Sequence, residues 1–461
     1  MIQRIIHTAP GNRDLIVIFL GWGSDAAALS GLSYSGCDIM AVWDYRDETF
    51  DPVPLSRYRH LYLFAWSMGV MMAERTLRKY PQLHPTLSIA VNGSPRPVHD
   101  SEGIPCGIFR GTLNGLNDLT LGKFRRRMCR NAHEYAEYCK VLPARSVDEL
   151  RDELRILGEH AAEATHETAA IPWDRAIIAE DDRIFPPENL RRAWSGLSRV
   201  RMTEGAHLPD WQTILNQEII DKNYVAAKFR RSISTYDNEA VAQKTIAKHL
   251  WELWHKELAG RTPLSIIEAG FGTGIMTRLY VPALRPYRLL LWDLCPIDLE
   301  IPCAGEIIAG DAEELIAQLP DAYAEAVVSA STMQWFNSPA TFIANASRVL
   351  SKGGHLVVST FGERNMWELS QVTRLPLRYL TLDELAALLP ADMRLLAATQ
   401  EEIVLHFDSP REVMSHIRAT GVNGMRDART PLARILSDYP YTPDGDVTLT
   451  YHPLYLIAEK L

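Results

Sequence analysis

The sequence predicts a two-domain protein of the α/β class, each domain built on a largely parallel sheet, and three observations carry that prediction. Short, almost wholly apolar runs stop at turn-forming residues, as buried parallel strands do: Leu15 to Leu20, Ile39 to Trp43 and Leu61 to Trp66. Ser67 falls directly between the third of these runs and an amphipathic stretch with Met71, Ala73 and Leu77 near helical spacing. In the second half, the apolar run of LSIIEAGFGTG (Leu264 to Gly274) empties into glycines at 270, 272 and 274. Glycines at these places let the backbone turn sharply, so that a ligand can press against main chain at the carboxyl edge of a sheet.

At 461 residues the chain exceeds what one hydrophobic core normally serves, and the prior of about 150 residues per domain fits two or three. Two are expected, spanning 1–215 and 222–461, with the boundary near 215 to 222. From Asp210 to Lys228 the sequence holds neither Gly nor Pro, so the joint reads as a short helical connector rather than a flexible tether. Hydrophobic residues at 47% and charged residues at 23% are ordinary for a soluble globular chain, and no apolar run approaches the ~18 residues of a membrane span. The run Leu15 to Leu20 follows Arg13 and Asp14 and is too short for a signal peptide, so a cytoplasmic address is expected. Six cysteines without a C-x-x-C pair argue against a disulfide framework and a zinc site, and read as small buried apolar residues. A net charge of -9 disfavours general nucleic-acid binding.

In the first half, AWSMG places Ser67 where a nucleophile elbow would hold it, with Ala65 standing in for the first glycine of G-x-S-x-G and Gly69 for the second. In α/β-hydrolases an acid and then a histidine follow the serine in chain order. AIIAEDDRIFPPENL offers Asp182, with Asp181 as the fallback, and RVRMTEGAHLPDW offers His207. Taken singly, a helix-capping Asp and a surface His are equally plain readings; the order Ser, Asp, His favours a triad. The oxyanion donors expected are the backbone N–H of Met68 and that of Trp22, in the loop GWGSD after the first strand. From roughly 110 to 170 the chain turns helical and charged, as a lid over the serine would. Phe124 to Arg130 carries four arginines in seven residues, either a solvated face or a contact for an acidic or phosphorylated partner.

FLGWGSD, AWSMGV, VNGSPRPVHDSEGIP, RRRMC and DDRIFPPENL, spread over residues 15 to 190, resemble the pimeloyl-[acyl-carrier protein] methyl ester esterases of the BioG type. That resemblance implies an α/β-hydrolase with a helical lid, and acyl-carrier protein as the partner that Arg125, Arg126 and Arg127 would meet.

In the second half, the third glycine of the loop arrives one residue too early for the G-x-G-x-x-G of nicotinamide and flavin binders. E-x-G-x-G-x-G (Glu268, Gly270, Gly272, Gly274) resembles motif I of the S-adenosylmethionine-dependent methyltransferases. The next strand, LLLWD, ends at Asp293, where an acid can accept both ribose hydroxyls, and AGDAEEL places Asp311, followed by Ala312, to meet the adenine amine. FRRSISTYDNEAVAQ resembles the N-terminal segment of the malonyl-[acyl-carrier protein] O-methyltransferases (BioC), with F-x-x-x-x-x-x-Y-D and A-x-x-Q. AVVSASTMQWF and RVLSKGGHLVVSTFG resemble that family's following strands, and SPREVMSHIRATGVNG does so weakly. The resemblance runs from about 228 to 365. It implies a Rossmann-like class I fold, S-adenosyl-L-methionine as cofactor, Tyr236 and Ser329 beside it, and Gln334 and Trp335 toward the substrate; Arg418 is a further candidate for holding a malonyl carboxylate. No H-E-x-x-H and no His/Cys pair at ligand spacing points to a metal. The same residues also fit an unrelated carboxylesterase joined to a small-molecule methyltransferase, or one half serving as a non-catalytic docking module.

Overall fold

A computed structural model describes residues 1–8, 12–163, 171–197, 199–300, 303, 305–373, 379–421 and 430–461. Residues 164–170 of the expected lid and 422–424 of the SPREVMSHIRATGVNG segment lie outside these. The chain divides into two compact units, Met1–Leu215 and Asn216–Leu461.

The first unit is built on seven strands: β1 (Ile2–His7), β2 (Asp14–Phe19), β3 (Cys37–Trp43), β4 (His60–Trp66), β5 (Leu87–Val91), β6 (Arg175–Ala179) and β7 (Val200–Thr203). Their order is β1-β3-β2-β4-β5-β6-β7. All neighbours run parallel except β1, which pairs antiparallel with β3 at the edge. β3 and β5 are buried along their whole length, the signature of strands covered on both faces. The strand order reverses between β2 and β4, and such a switch point opens a crevice at the carboxyl ends of the two strands. Ser67 and Trp22 lie just past those ends. The loop of Trp22 thus follows the second strand, not the first: β1 precedes the run Leu15 to Leu20.

Helix α1 (Gly69–Lys79) leaves the end of β4 and buries Val70, Met71, Met72, Ala73 and Leu77. Between β5 and β6 the described residues form four inserted α-helices: α2 (Cys106–Asn114), α3 (Asp118–Met128), α4 (Ala132–Tyr138) and α5 (Val147–Glu163). Sequence sets the starts of the middle two, since Asn117 caps α3 in a capping box with Thr120, and Asn131 caps α4. After α6 (Pro187–Ala193), helix α7 (Trp211–Glu218) contains the division between the units. The connector is two helices rather than one: it breaks at residues 219–221, and Asp221 caps α8 (Lys222–Glu239) through the N–H of Tyr224.

The second unit adds α9 (Val241–Leu258), β8 (Ser265–Ala269), α10 (Thr277–Leu284), β9 (Arg288–Asp293), β10 (Gly305–Ala309), α11 (Ala312–Ala317), β11 (Ala324–Ala330), α12 (Pro339–Val349) and β12 (Leu350–Phe361). Four further strands close it: β13 (Met393–Gln400), β14 (Ile403–Phe407), β15 (Val447–Tyr451) and β16 (Pro453–Lys460). The main sheet has the order β10-β9-β8-β11-β12-β16-β13, with β16 antiparallel to both neighbours, and β14 pairs with β15 alone. Here the order reverses between β8 and β11, so the loop of Gly270 and the turn after Ala330 face the crevice. Among the described residues no helix is long and apolar enough to cross a membrane. Cys37, Cys129 and Cys295 are buried as small apolar residues, whereas Cys139 is exposed and Cys106 and Cys303 are half-buried.

Candidate active sites

Ser67 sits at φ 59°, a left-handed conformation that a non-glycine residue adopts only where its surroundings hold it. Three glycines make that turn possible. A Cβ on Gly69 would stand 2.5 Å from the Phe19 carbonyl oxygen, one on Gly21 would stand 2.9 Å from the Ser67 Cβ, and one on Gly93 would run into the Ser67 backbone. Ala65, buried inside β4, is tolerated where a glycine is usual. The turn projects the Ser67 hydroxyl toward His207, whose Nε2 lies 3.0 Å from Oγ. The other imidazole nitrogen, Nδ1, lies 2.8 Å from Oδ2 of Asp182. Asp181 instead is exposed.

Each member is held by its own partners. Oδ1 of Asp182 accepts the N–H groups of Ile184 and Phe185, at 2.8 and 2.9 Å. Phe185 stacks on the imidazole with rings 5.7 Å apart and 5° from parallel. The carbonyl of His207 accepts from the Trp66 indole at 2.9 Å and from the Asn92 amide at 3.1 Å, and Asn92 Oδ1 takes the N–H of Ala179 at the end of β6. Asn92, at φ 45°, therefore ties the histidine loop to the strand that leads into the acid. The sequence reading did not single it out; the signal was its place at the end of an apolar run, in VNG.

A cavity of about 540 Å³ opens on Ser67. Trp22, Ile104, Ile108, Phe109, Met128 and Leu154 give it apolar walls, and Arg127 and Arg183 lie on its lining. Among the described residues, neither the N–H of Met68 nor that of Trp22 is taken by another group. Of the α3 arginines, Arg127 lies over the Phe124 ring, Arg126 donates to the Asn131 carbonyl at 2.7 Å and covers Tyr135, and Arg125 does not line the cavity.

In the second unit a cleft of about 1050 Å³ lies over the carboxyl ends of β8, β9 and β11. Glu268, Gly270, Gly272, Asp293, Asp311 and Ala312 line it, and so do Tyr236 and Trp335. Gly270 has φ 75°, and a Cβ there would strike the Thr332 side chain; at Gly272, with φ 55°, it would meet nothing within 4 Å, because that backbone faces the open cleft. Asp293 receives the N–H of Gly272 at 2.9 Å and that of Cys295 at 2.7 Å. Burial nonetheless raises its pKa above the ordinary carboxylate range.

Glu268 takes the hydroxyls of Thr277 and Tyr280 on Oε2, each at 2.7 Å. Its Oε1 is buried without a hydrogen-bond partner among the described residues. Burial pushes this carboxyl up to about 7, against the pull of those two hydroxyls. An unpartnered buried oxygen beside a glycine-floored cleft is a place for a ligand cation. A flat nucleoside carrying an ammonium group fits these residues.

Other expected contacts are placed elsewhere. Ser329 is fully buried within β11 and does not line the cleft; Ser331 and Thr332, just past the strand end, do. Gly274, at φ 81°, serves packing, since a Cβ there would stand 2.6 Å from Leu299 Cδ2. Gln334 donates to the Ser331 carbonyl at 2.6 Å and lies off the cleft lining. Arg418 is exposed, off the cleft, with its Nε on the Met414 carbonyl at 3.2 Å. The lining also takes in Gln243, which closes the A-x-x-Q segment without having been named as a site residue, and Lys222. Lys222 Nζ bridges Asp311 Oδ1 at 3.1 Å and Glu313 Oε2 at 2.7 Å. Burial draws its pKa down, and the Glu313 and Asp311 carboxylates more than reverse that.

Comparison with known proteins matches residues 3–213 to the family model described as pimeloyl-ACP methyl esterase BioG, and residues 267–358 to a methyltransferase domain. A malonyl-[acyl-carrier protein] O-methyltransferase of Bacteroides fragilis (strain 638R) is 36% identical over 98% of this chain and 94% of its own length. The chain belongs to the malonyl-[acyl-carrier protein] O-methyltransferase family. A family member from Haemophilus influenzae, aligned over 52% of this chain and 95% of its own length, is 32% identical. Among solved structures, BioG from Haemophilus influenzae is 35% identical, with a TM-score of 0.41, covering 45% of this chain and 94% of its own. As a member of the O-methyltransferase family that also carries a BioG domain, the chain holds two α/β enzymes in tandem, each with its crevice at a switch point of its sheet.

Proposed function

We propose that this chain both makes and removes one methyl ester during biotin synthesis. The second unit methylates the free carboxylate of malonyl-[acyl-carrier protein], and the first hydrolyses the methyl ester of pimeloyl-[acyl-carrier protein]. The observation that carries this reading is the pairing, in one chain of that family, of a Ser67–His207–Asp182 relay with a glycine-floored cleft ending in two acids.

In the first unit Ser67 Oγ attacks the ester carbonyl while His207 Nε2 accepts the hydroxyl proton, and Asp182 holds the imidazole in the tautomer this needs. The N–H groups of Met68 and Trp22 meet the oxyanion. His207 returns its proton to the departing methoxide, which leaves as methanol, and the same base then activates water against the acyl-enzyme. Arg127 and Arg183, at the cavity lining, suit the phosphate of a pantetheine arm. The apolar walls reward a longer acyl chain by about 0.8 kcal/mol per buried methylene, which favours a pimeloyl over a malonyl ester and limits futile cycling.

In the second unit S-adenosyl-L-methionine, when bound, supplies a methyl group activated by its sulfonium. Glu268 Oε1 would hold the ammonium, Asp293 the ribose, and Asp311 and Ala312 the adenine end, while the Gly272 backbone leaves room for close approach. The acceptor carboxylate is ionised at neutral pH, so these residues contribute by aligning and by excluding water rather than by moving a proton. Esterification masks a charge that would cost several kcal/mol to carry into an apolar acyl tunnel.

Mass spectrometry of carrier-protein substrates tests both halves. Cofactor-dependent gain of one methyl on malonyl-carrier protein and loss of one from pimeloyl methyl ester are expected. Absence of the first removes the methyltransferase assignment, and undiminished hydrolysis by Ser67→Ala removes Ser67 as nucleophile.

A further inference from the structure

The loop that carries Trp22 is fastened to residues 144–153 of the inserted helical segment by four contacts. The Trp22 indole donates to the Leu150 carbonyl at 2.8 Å, and the Gly23 N–H lies 3.4 Å from Glu153 Oε2. The Ala144 N–H donates to Asp25 Oδ2 at 2.9 Å, and Arg145 Nη1 lies 3.4 Å from the Ser24 carbonyl. Glu153, on α5, is the centre of the set and is 1% exposed. Its Oε1 accepts the Tyr45 N–H at 2.9 Å, and its Oε2 also takes Arg145 Nη1 at 2.7 Å. The Arg145 guanidinium continues to Asp44 Oδ1 at 3.1 Å, and Asp44 receives Arg46 on both oxygens.

A buried ion pair is weak evidence for stability, because desolvation offsets most of its attraction. What this one does is geometric: a single carboxylate holds the N–H groups of two loops, at Gly23 and Tyr45, against one helix. An oxyanion donor works only if it is already in place when the charge develops, since its value comes from preorganisation in a dry site. The Trp22 N–H is one peptide away from the Gly23 N–H that Glu153 faces.

We propose that Glu153 is a positioning residue for ester hydrolysis, fixing through Gly23 the backbone N–H of Trp22 where the oxyanion forms. This rests on the esterase assignment of Ser67. Glu153→Gln discriminates well, because the amide keeps the size but offers one acceptor oxygen where the carboxylate uses two, and sets an NH2 against an N–H.

The experiment uses the full chain, with p-nitrophenyl butyrate as substrate and phenylboronic acid as a tetrahedral adduct former on serine. For Glu153→Gln, kcat should fall about 10- to 100-fold with KM held within about threefold, and the phenylboronic acid inhibition constant should rise by a similar factor. Trp22→Phe, which removes the indole N–H that anchors on Leu150 and keeps an aromatic ring on the cavity wall, should lower kcat by about 3- to 10-fold and weaken the boronate in step. It decides the matter if Glu153→Gln does not fold. Wild-type kcat in folded Glu153→Gln overturns the proposal, as does wild-type kcat in Trp22→Phe where Glu153→Gln does not fold. So does a loss confined to KM with boronate affinity unchanged. Ser67→Ala, run beside them, separates the two failures: if it hydrolyses the ester at the wild-type rate, the nucleophile assignment falls, whatever Glu153 does.

Discussion

His207 stands 3.0 Å from Ser67 through Nε2, although 140 residues separate them in the chain. The contact is built from both sides, by a strained serine turn and by a histidine carbonyl pinned to Trp66 and Asn92. Asp182→Asn removes the acceptor that selects the imidazole tautomer while leaving the geometry. Esterase kcat should fall by about 10⁴-fold. Methyl transfer by the same polypeptide should be unchanged, and assaying both activities on one preparation checks this.

Gly69 is fixed by backbone rather than by flexible side chains: a Cβ there would lie 2.5 Å from the Phe19 carbonyl oxygen and 2.7 Å from that of Leu20. Neither oxygen can move without shifting β2 and the loop of Trp22 that follows it. Gly69→Ala should destabilise the first unit by about 1–3 kcal/mol and abolish most esterase activity. Loss of hydrolysis at lower temperature than in the parent chain, with methyl transfer as internal reference, is the measurement.

The elbow and the glycine loop were legible in sequence because their chemistry admits few residues: a serine at a strained turn, and glycines where φ is positive or a Cβ has no room. The edge strand Ile2–His7 was not read, since its half-exposed side chains give no continuous apolar run. Nor was the insertion of β16 between β12 and β13, which depends on pairing across distant segments. Ser329 was taken for a cleft residue because it matches a motif, but it lies inside the strand with its side chain in the core. The residues just past a strand end, Ser331 and Thr332 here, reach the crevice. Lys222 left no local signal, because its partner Asp311 is 89 residues away.

Lys222 neutralises Asp311 and Glu313 together, and all three are largely buried. Lys222→Met leaves two carboxylates side by side without a cation, a change whose cost is about 2 kcal/mol once partial exposure is discounted. Asp311 would then leave its place on the cleft lining. S-adenosylhomocysteine should bind about tenfold more weakly by calorimetry, with esterase kcat unaltered. Equal affinity in the variant would remove Lys222 from the cofactor site.

Glu268 gives the cofactor cleft a pH dependence whose sign is fixed by its surroundings. In the free protein, burial holds its pKa up at about 7, so the carboxyl is largely neutral at pH 6 and largely ionised at pH 8. A ligand ammonium favours the ionised form, so binding must release a proton wherever the free carboxyl is protonated. Affinity for S-adenosylhomocysteine should therefore rise with pH, by about tenfold between pH 6 and pH 8, and level off above. Glu268→Gln keeps the side-chain volume and removes the titration. It should bind more weakly than the parent at pH 8 and show little change between the two pH values. Calorimetry in two buffers of different ionisation enthalpy counts the protons directly: release of about one proton is expected on binding at pH 6, and release of none by the parent chain would rule out Glu268 as the group that meets the ammonium.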